Sequence, residues 1–185
     1  MHDFNDKLFK SILLIAISGF FIVLLVQNIF AEEEPLSCTI TSGECSGVTV
    51  FKLQSLGNSH AELSSQSNYS YKVCCAGEDI GNDCAGNYAV ALNLSGDSNA
   101  HVEENGRSNY TKHACLSYAQ AEGTIACDYA ADCATLGEGY VCLASISGGT
   151  NAHVGDCSAY TSKVCCQVTS PVSSWKLPIW KEVSP

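Results

Sequence analysis

Three histidines in the same local sequence are the residues best placed to do chemistry. Each follows an Asn-x pair and precedes Ala or Val, and the three are His60, His101 and His153. Imidazole nitrogens bind zinc and copper, so three equivalent histidines would form a metal site if the segments met around one axis. A residue repeated in a repeated segment more commonly shapes a turn through local hydrogen bonds. We therefore predict a structural role, with no metal or cofactor, and keep the metal site as the alternative. His113 lies outside the pattern and is expected to be exposed.

Twelve cysteines supply the second possible chemistry, and all of them follow residue 31. No Cys-x-x-Cys pair occurs, so the usual zinc spacing is missing. An even cysteine count in an exported chain indicates six disulfides, which leaves no thiolate to act as a nucleophile. Sequence signatures of hydrolases, metalloproteases and nucleotide-binding enzymes are also missing. We predict that the protein is not an enzyme.

The histidines and cysteines belong to three copies of one unit. In each copy an acidic residue and a cysteine precede a strand-like run, a glycine-containing turn, Asn-x-His, a tyrosine and a closing cysteine. We assign repeat 1 to residues 32–76, repeat 2 to 77–116 and repeat 3 to 117–166, with a Pro- and Trp-containing tail at 167–185. The units vary mainly in loop length, and repeats of about 40–50 residues indicate units that must pack together.

Comparison of the copies predicts the disulfide pairing. One pair is common to all three copies, and a second pair occurs together in copies one and three and is missing from copy two. Two further cysteines occur in copy three alone. The predicted pairs are Cys45–Cys74, Cys84–Cys115, Cys133–Cys165, Cys38–Cys75, Cys127–Cys166 and Cys142–Cys157. Swapped partners within a doublet, such as Cys45 with Cys75, fit the same counts.

Alternating apolar residues separated by Gly, Ser and Asn predict an all-β fold of short antiparallel strands, about three per unit. Residues 119–126 are the one stretch after residue 31 with some helical character. The units could lie like beads in a row or close into a pseudo-threefold body, for which a trefoil is an analogy. The sequence does not decide between these arrangements.

Residues 1–31 differ from the rest and predict export. Lys7 and Lys10 precede an apolar run, and Glu32 begins an acidic triplet after it. This pattern is typical of a signal peptide cleaved after Ala31. It also fits an apolar helix over residues 12–31 that stays in the membrane as an anchor. Either alternative places the cysteine-rich part outside the cell, secreted or anchored at the surface.

Possible modification and contact sites are few. Asn68, Asn93 and Asn109 stand in Asn-x-Ser/Thr and are candidates for N-glycosylation. In the tail, which is most simply a packed or flexible extension, Trp175, Ile179 and Trp180 could form a docking strip. The acidic segment 77–83 does not match a calcium-binding loop and is interpreted as a linker.

Charge and composition limit the function classes. Residues 32–185 carry seventeen Asp or Glu and seven Lys or Arg, a surface that repels nucleic acid. We predict an exported structural or adhesive repeat protein whose partners are copies of itself or other surface components. One alternative is a multivalent module that binds glycans or other ligands. The other is a pilin-like filament subunit that uses the N-terminal helix.

Overall fold

The computed structural model describes residues 35–170, and these form three four-stranded antiparallel sheets. Sheet 1 contains β1 (Ser37–Thr41), β2 (Val48–Leu53), β3 (Ala61–Leu63) and β4 (Tyr71–Ala76). Sheet 2 contains β5 (Ile80–Gly81), β6 (Tyr88–Leu94), β7 (Val102–Glu103) and β8 (Lys112–Tyr118). Sheet 3 contains β9 (Thr124–Ala130), β10 (Val141–Ile146), β11 (Val154–Gly155) and β12 (Ser162–Thr169). The predicted N-terminal apolar helix and the docking strip in the tail lie outside the described residues.

Helix is nearly absent from the described part of the chain. One short 3₁₀ helix, Cys133–Leu136, occurs there, capped by the Asp132 side chain. No helix within residues 35–170 is long and apolar enough to cross a membrane. The helical character expected over residues 119–126 is wrong: the chain turns there and enters β9 at Thr124. Gly123 allows this turn, because a Cβ at that position would lie 2.2 Å from the Tyr118 ring.

All three sheets have the same strand order, β1-β4-β2-β3 in the first and its equivalents in the others. Each unit has four strands, where about three were expected. The additional strand was not predicted because it is short: β7 and β11 have only two residues each. The sheets also extend past the predicted boundaries, since β8 runs to Tyr118 and β12 to Thr169. Each repeat is therefore one sheet, and the units below are named by these sheets.

A β-bulge recurs at the same place in each sheet. The pairing of the second strand with the fourth shifts at Val50, at Ala91 and at Leu143, and all three side chains are buried. The extra residue bends the strand and increases its twist. From the bulge onward, the second strand of each sheet sends apolar side chains into one continuous core; the largest of them are Phe51, Leu53, Leu92, Leu94, Leu143 and Ile146.

Six disulfides staple the units, and no described cysteine is free. They are the six pairs predicted from the comparison of the copies, and the swapped doublet pairing does not occur. Cys38 and Cys75 face each other across β1 and β4, and Cys127 and Cys166 do so across β9 and β12, with Cα–Cα distances of 4.1 Å. Six disulfides place the protein in an extracellular or other oxidising compartment.

The units close into a ring around a pseudo-threefold axis. The residue before each histidine pairs with the residue after the preceding unit's histidine: Ser59 with Val154, Ala100 with Ala61 and Ala152 with Val102. Each pair exchanges two backbone hydrogen bonds of 2.9 Å. A third bond crosses each junction, from the nitrogens of Leu63, Glu104 and Asp156 to the carbonyls of Asp97, Gly149 and Leu56. Nine backbone hydrogen bonds therefore join the three units into one body.

Removal of the one disulfide in unit 2 tests this cooperation. Cys84–Cys115 spans 31 residues, so Cys84→Ala/Cys115→Ala should lower the free energy of unfolding by roughly 3–4 kcal/mol. Because the units share a core and a ring of hydrogen bonds, we expect one thermal transition at a lower Tm in circular dichroism. Cys142→Ala/Cys157→Ala, which opens the 15-residue loop of unit 3, is the matched control and should also unfold in one step. Two separated transitions in either variant would contradict a single cooperative body.

Candidate functional site at the pseudo-threefold axis

The three repeated histidines meet at the axis, one from each unit. Ring centroids are 4.7 Å apart for His60 and His101, 5.1 Å for His60 and His153, and 4.9 Å for His101 and His153. All three are half-buried. The backbone places them, since each lies between two residues that bridge to the two neighbouring units. We call His60, His101 and His153 the axial histidines.

An asparagine prepares each histidine segment. Asn58, Asn99 and Asn151 begin the three Asn-x-His segments with φ values of 48°, 49° and 46°. Asparagine enters this left-handed region more readily than most residues, which explains its place at the turn. The backbone conformation turns the chain from the glycine-containing loop into the bridging segment.

The same asparagines also hold the histidine of the preceding unit. The Nδ1 atoms of His60 and His153 lie 2.6 Å from the Oδ1 atoms of Asn99 and Asn58. Each Oδ1 also accepts a hydrogen bond from a tyrosine hydroxyl, from Tyr69 to Asn99 at 3.3 Å and from Tyr160 to Asn58 at 3.2 Å. Because the carbonyl oxygen only accepts, Nδ1 must carry the proton. The Nε2 atom of each ring therefore retains its lone pair.

His101 departs from this pattern. The hydroxyl of Tyr110 donates to Asn151 Oδ1 at 3.4 Å, as the symmetry requires, but His101 Nδ1 has no partner. Within residues 35–170 it is the one buried side-chain nitrogen or oxygen without a hydrogen bond. A buried polar atom without a partner lowers the stability of the folded state, so His101 is the least well stabilised of the three rings.

The environment of His153 favours its neutral form. Partial burial lowers the pKa of His153, and the neighbouring His101 and His60 lower it further, because adjacent imidazolium charges would repel. Neutral imidazole is the form that binds metal ions. Among the described residues, the axial histidines are also the one group of His, Cys, Asp or Glu that could hold a metal ion, with one ring nitrogen of each within 4.8 Å of the others.

Two buried carboxylates support the tyrosines. Glu62 is fully buried and accepts the backbone N–H of Tyr69 at 2.8 Å and the Asn68 amide at 3.0 Å. Its equivalent Glu103 accepts from Tyr110 N at 2.8 Å and Asn109 Nδ2 at 2.9 Å. Burial alone would raise the pKa of Glu103, but these bonds and one from Thr150 outweigh it and hold that pKa below its usual value.

In unit 3 a different residue accepts the hydrogen bond from the tyrosine N–H. Gly155 replaces the glutamate, and the Ser145 hydroxyl accepts the Tyr160 N–H at 2.9 Å instead. Unit 1, which faces unit 3, differs at the corresponding position. Ser98 and Thr150 donate hydroxyl hydrogen bonds to the two glutamates, whereas the equivalent position facing unit 3 is Gly57. The junction between units 3 and 1 is therefore the only one of the three without a carboxylate–hydroxyl contact.

The glycosylation candidates differ in accessibility. Asn93 is 2% exposed, and its amide nitrogen donates to the carbonyls of Glu104 and Arg107, so the folded protein does not offer it for modification. Asn68 and Asn109 are exposed, yet their amide nitrogens donate to Glu62 and Glu103. Their glycosylation stays a prediction, and it would have to break these bonds.

Sequence reasoning found the axial histidines but missed the residues that hold them. It noted Asn-x-His and the repeated tyrosine separately and expected the histidines to bond to the backbone of their own unit. In the structure the partners are side chains of the next unit. The repetition of all three residue types was the available signal. His113, predicted to be exposed, is exposed and bonds Asn93 Oδ1 at 2.7 Å, away from the axis.

Two substitutions of Asn99 separate its backbone role from its side-chain role. Asn99→Gly keeps the left-handed turn but loses the bonds to His60 and Tyr69, so it should cost about 1–2 kcal/mol of unfolding free energy. Asn99→Ala loses the same bonds and also strains the turn, which adds about 1 kcal/mol or more. Urea denaturation measures both values, and an alanine variant as stable as the glycine variant would contradict the assigned conformation.

Gly155 tests the packing of the junction between units 3 and 1. A Cβ there would lie 2.5 Å from the Ala159 Cβ and 2.9 Å from the Leu56 carbonyl oxygen. Gly155→Ala should therefore destabilise the protein by about 1–3 kcal/mol through overpacking. Gly57→Ala is the matched control, since its Cβ would meet nothing within 4 Å. Equal Tm values for the two variants would show that the junction between units 3 and 1 accommodates the added methyl group without loss of stability.

Comparison of the chain with protein-family models, curated proteins and solved structures gives no match. The geometry of the three units and of the axis is therefore the basis for the functional proposal below.

Proposed function

We propose that this protein is an exported structural or adhesive component of the cell exterior, displaying residues 35–170 as one closed module. The observation that carries the proposal is the closure of three disulfide-stapled sheets into a single ring-bonded body. A unit of about 40 residues cannot bury enough apolar surface to be stable alone. The disulfides and the packing between units supply that stability, so the module does not depend on conditions inside the cell.

The outer strands of the sheets support a role in an exposed environment. An edge strand presents unpaired backbone groups that invite aggregation or proteolysis unless something covers them. In this protein β9 packs against β6 of unit 2, where Asn105 Nδ2 donates to the carbonyls of Val90 and Cys127 at 2.8 and 2.9 Å. The chain before β6 likewise reaches unit 1, where Asn82 Nδ2 donates to the Thr49 carbonyl at 2.8 Å.

A tyrosine seals the junction between units 2 and 3. The Tyr129 hydroxyl donates to the Ala91 carbonyl at 2.6 Å and accepts from the Asn105 N–H at 3.0 Å. Burial raises the pKa of this hydroxyl far above its usual value, so it stays protonated. The covered β9 edge, and the pairing of every buried side-chain nitrogen and oxygen of residues 35–170 except His101 Nδ1, suit a module that must persist outside the cell. This favours display over catalysis.

Resistance to proteolysis tests the durability that this function requires. With its disulfides intact, the native chain should largely withstand trypsin across residues 35–170, since only five Lys or Arg lie there and three of them are half-buried: Lys52, Lys72 and Lys163. Arg107 and Lys112 are exposed, and any slow cleavage should begin at them. Reduction should abolish the resistance, because six cross-links are then lost from the unfolding equilibrium. Intact-mass spectrometry after timed digestion measures both. Equal digestion rates before and after reduction would contradict the proposal.

The location and assembly of the native chain provide the second test. Fractionation of producing cells should place the chain in the medium, in the cell wall or on the outer face of the membrane. Electron microscopy should show it in surface layers, in filaments or at contacts between cells. A freely diffusing monomer that binds a specific sugar on a glycan array would favour the ligand-binding alternative. A chain that retains residues 1–31 within filaments would favour the pilin-like alternative.

A further inference from the structure

We propose that the axial histidines bind one divalent transition-metal ion of the zinc class on the pseudo-threefold axis, through one nitrogen from each unit. The inference is independent of the proposed structural or adhesive role. It begins from the position of three imidazoles, His60, His101 and His153, with ring centroids between 4.7 and 5.1 Å apart.

The distances require only a small adjustment. One ring nitrogen of each histidine lies within 4.8 Å of the others. Zinc–nitrogen bonds of about 2.0–2.1 Å in a tetrahedral site place the ligand nitrogens roughly 3.4 Å apart. Each ring would therefore move by less than about 1 Å toward the axis. We expect rotation of the side chains to provide a movement of this size while the bridging backbone stays in place.

The hydrogen bonds prepare the correct tautomer. Asn99 and Asn58 accept the Nδ1 protons of His60 and His153, and this leaves the Nε2 lone pairs available for a metal ion. Metal-binding histidines in proteins commonly donate their second ring nitrogen to an oxygen acceptor in this way. The tyrosine hydroxyls of Tyr69 and Tyr160 orient those acceptors in turn.

His101 supplies the independent observation that points to a ligand. Its buried Nδ1 lacks a partner, although Asn151 Oδ1 has the position that serves the other two rings. In the arrangement that His60 and His153 adopt, His101 Nδ1 would donate to Asn151 Oδ1, and His101 Nε2 would keep its lone pair for the ion. This arrangement would give a partner to the one unpaired buried side-chain atom among residues 35–170 and would complete the ligand set.

The ligand chemistry selects the class of ion. Three imidazoles with no carboxylate or thiolate favour zinc, copper, nickel or cobalt, and disfavour calcium and magnesium, which require oxygen ligands. The net charge of −10 on the chain attracts cations in general and so raises their local concentration. Three protein ligands also leave a fourth position, which the half-exposed rings open to water or to an anion.

The test uses the full, untagged chain with its disulfides intact and stripped of metal by a chelator. Titration calorimetry with zinc should give one ion per chain. Cobalt, as a spectroscopic substitute, should give the strong visible absorption of a four-coordinate site. Zinc should also raise Tm as its concentration increases, because it binds the folded ring alone. The absence of stoichiometric binding of both ions by folded protein would overturn the proposal.

His101→Ala is the decisive variant, because it removes a ligand without breaking a hydrogen bond at Nδ1. It should fold and should bind zinc at least about 100-fold more weakly. His113→Ala, at the exposed histidine that lies off the axis, is the matched control and should bind as the unaltered chain does. Asn99→Gly, which frees His60 Nδ1, should weaken binding by about 10- to 100-fold. Unchanged affinity in His101→Ala, or an equal loss in His113→Ala, would show that the metal binds elsewhere.

Discussion

The backbone ring around the axis is the interaction on which the rest of the structure depends. Six hydrogen bonds of 2.9 Å link the residues flanking the axial histidines, and three more bonds cross the junctions beside them. Without this ring each unit would be a small sheet with an exposed inner edge and half a core. With it, the inner edge of every sheet is paired and the apolar faces meet. The position of the histidines is a consequence, because each lies between two bridging residues.

Threefold repetition fixes the frame but leaves each unit free to vary. Units 1 and 2 place a buried glutamate beneath the tyrosine turn, whereas unit 3 uses Ser145 and Gly155. Units carry two, one and three disulfides, yet all share the bulge, the left-handed asparagine and the bridge. What is common to all three units is what the ring needs, and what differs concerns the local support of each sheet.

Much of this fold could be predicted from the sequence because the chain contains its own comparison. Cysteines that appear and disappear together across copies gave the six pairings, and alternating residues in β2, β6 and β4 gave the strands. The ring was not predictable, since its bonds are made by backbone groups and carry no residue signature. The fourth strand of each unit was also not predicted, because a strand of two or three residues is too short to show an alternating pattern. Asn93 stands in a glycosylation sequence but is buried. The alternation in β6 places it on the face opposite Leu92 and Leu94, and residues 104–107 cover that face and accept hydrogen bonds from its amide.

The ring has three joints, but the chain passes through only two of them. Short connections carry the backbone from unit 1 to unit 2 and from unit 2 to unit 3, whereas units 3 and 1 meet without a covalent link. That seam is also the joint at which Gly57 and Gly155 replace the hydroxyl and carboxylate present elsewhere. At this seam the two units are held together by noncovalent contacts alone, which include three backbone hydrogen bonds and the packing of β1 against β10. Separation at this seam would leave one chain with two complementary half-joints, which is the arrangement that domain exchange between two copies requires.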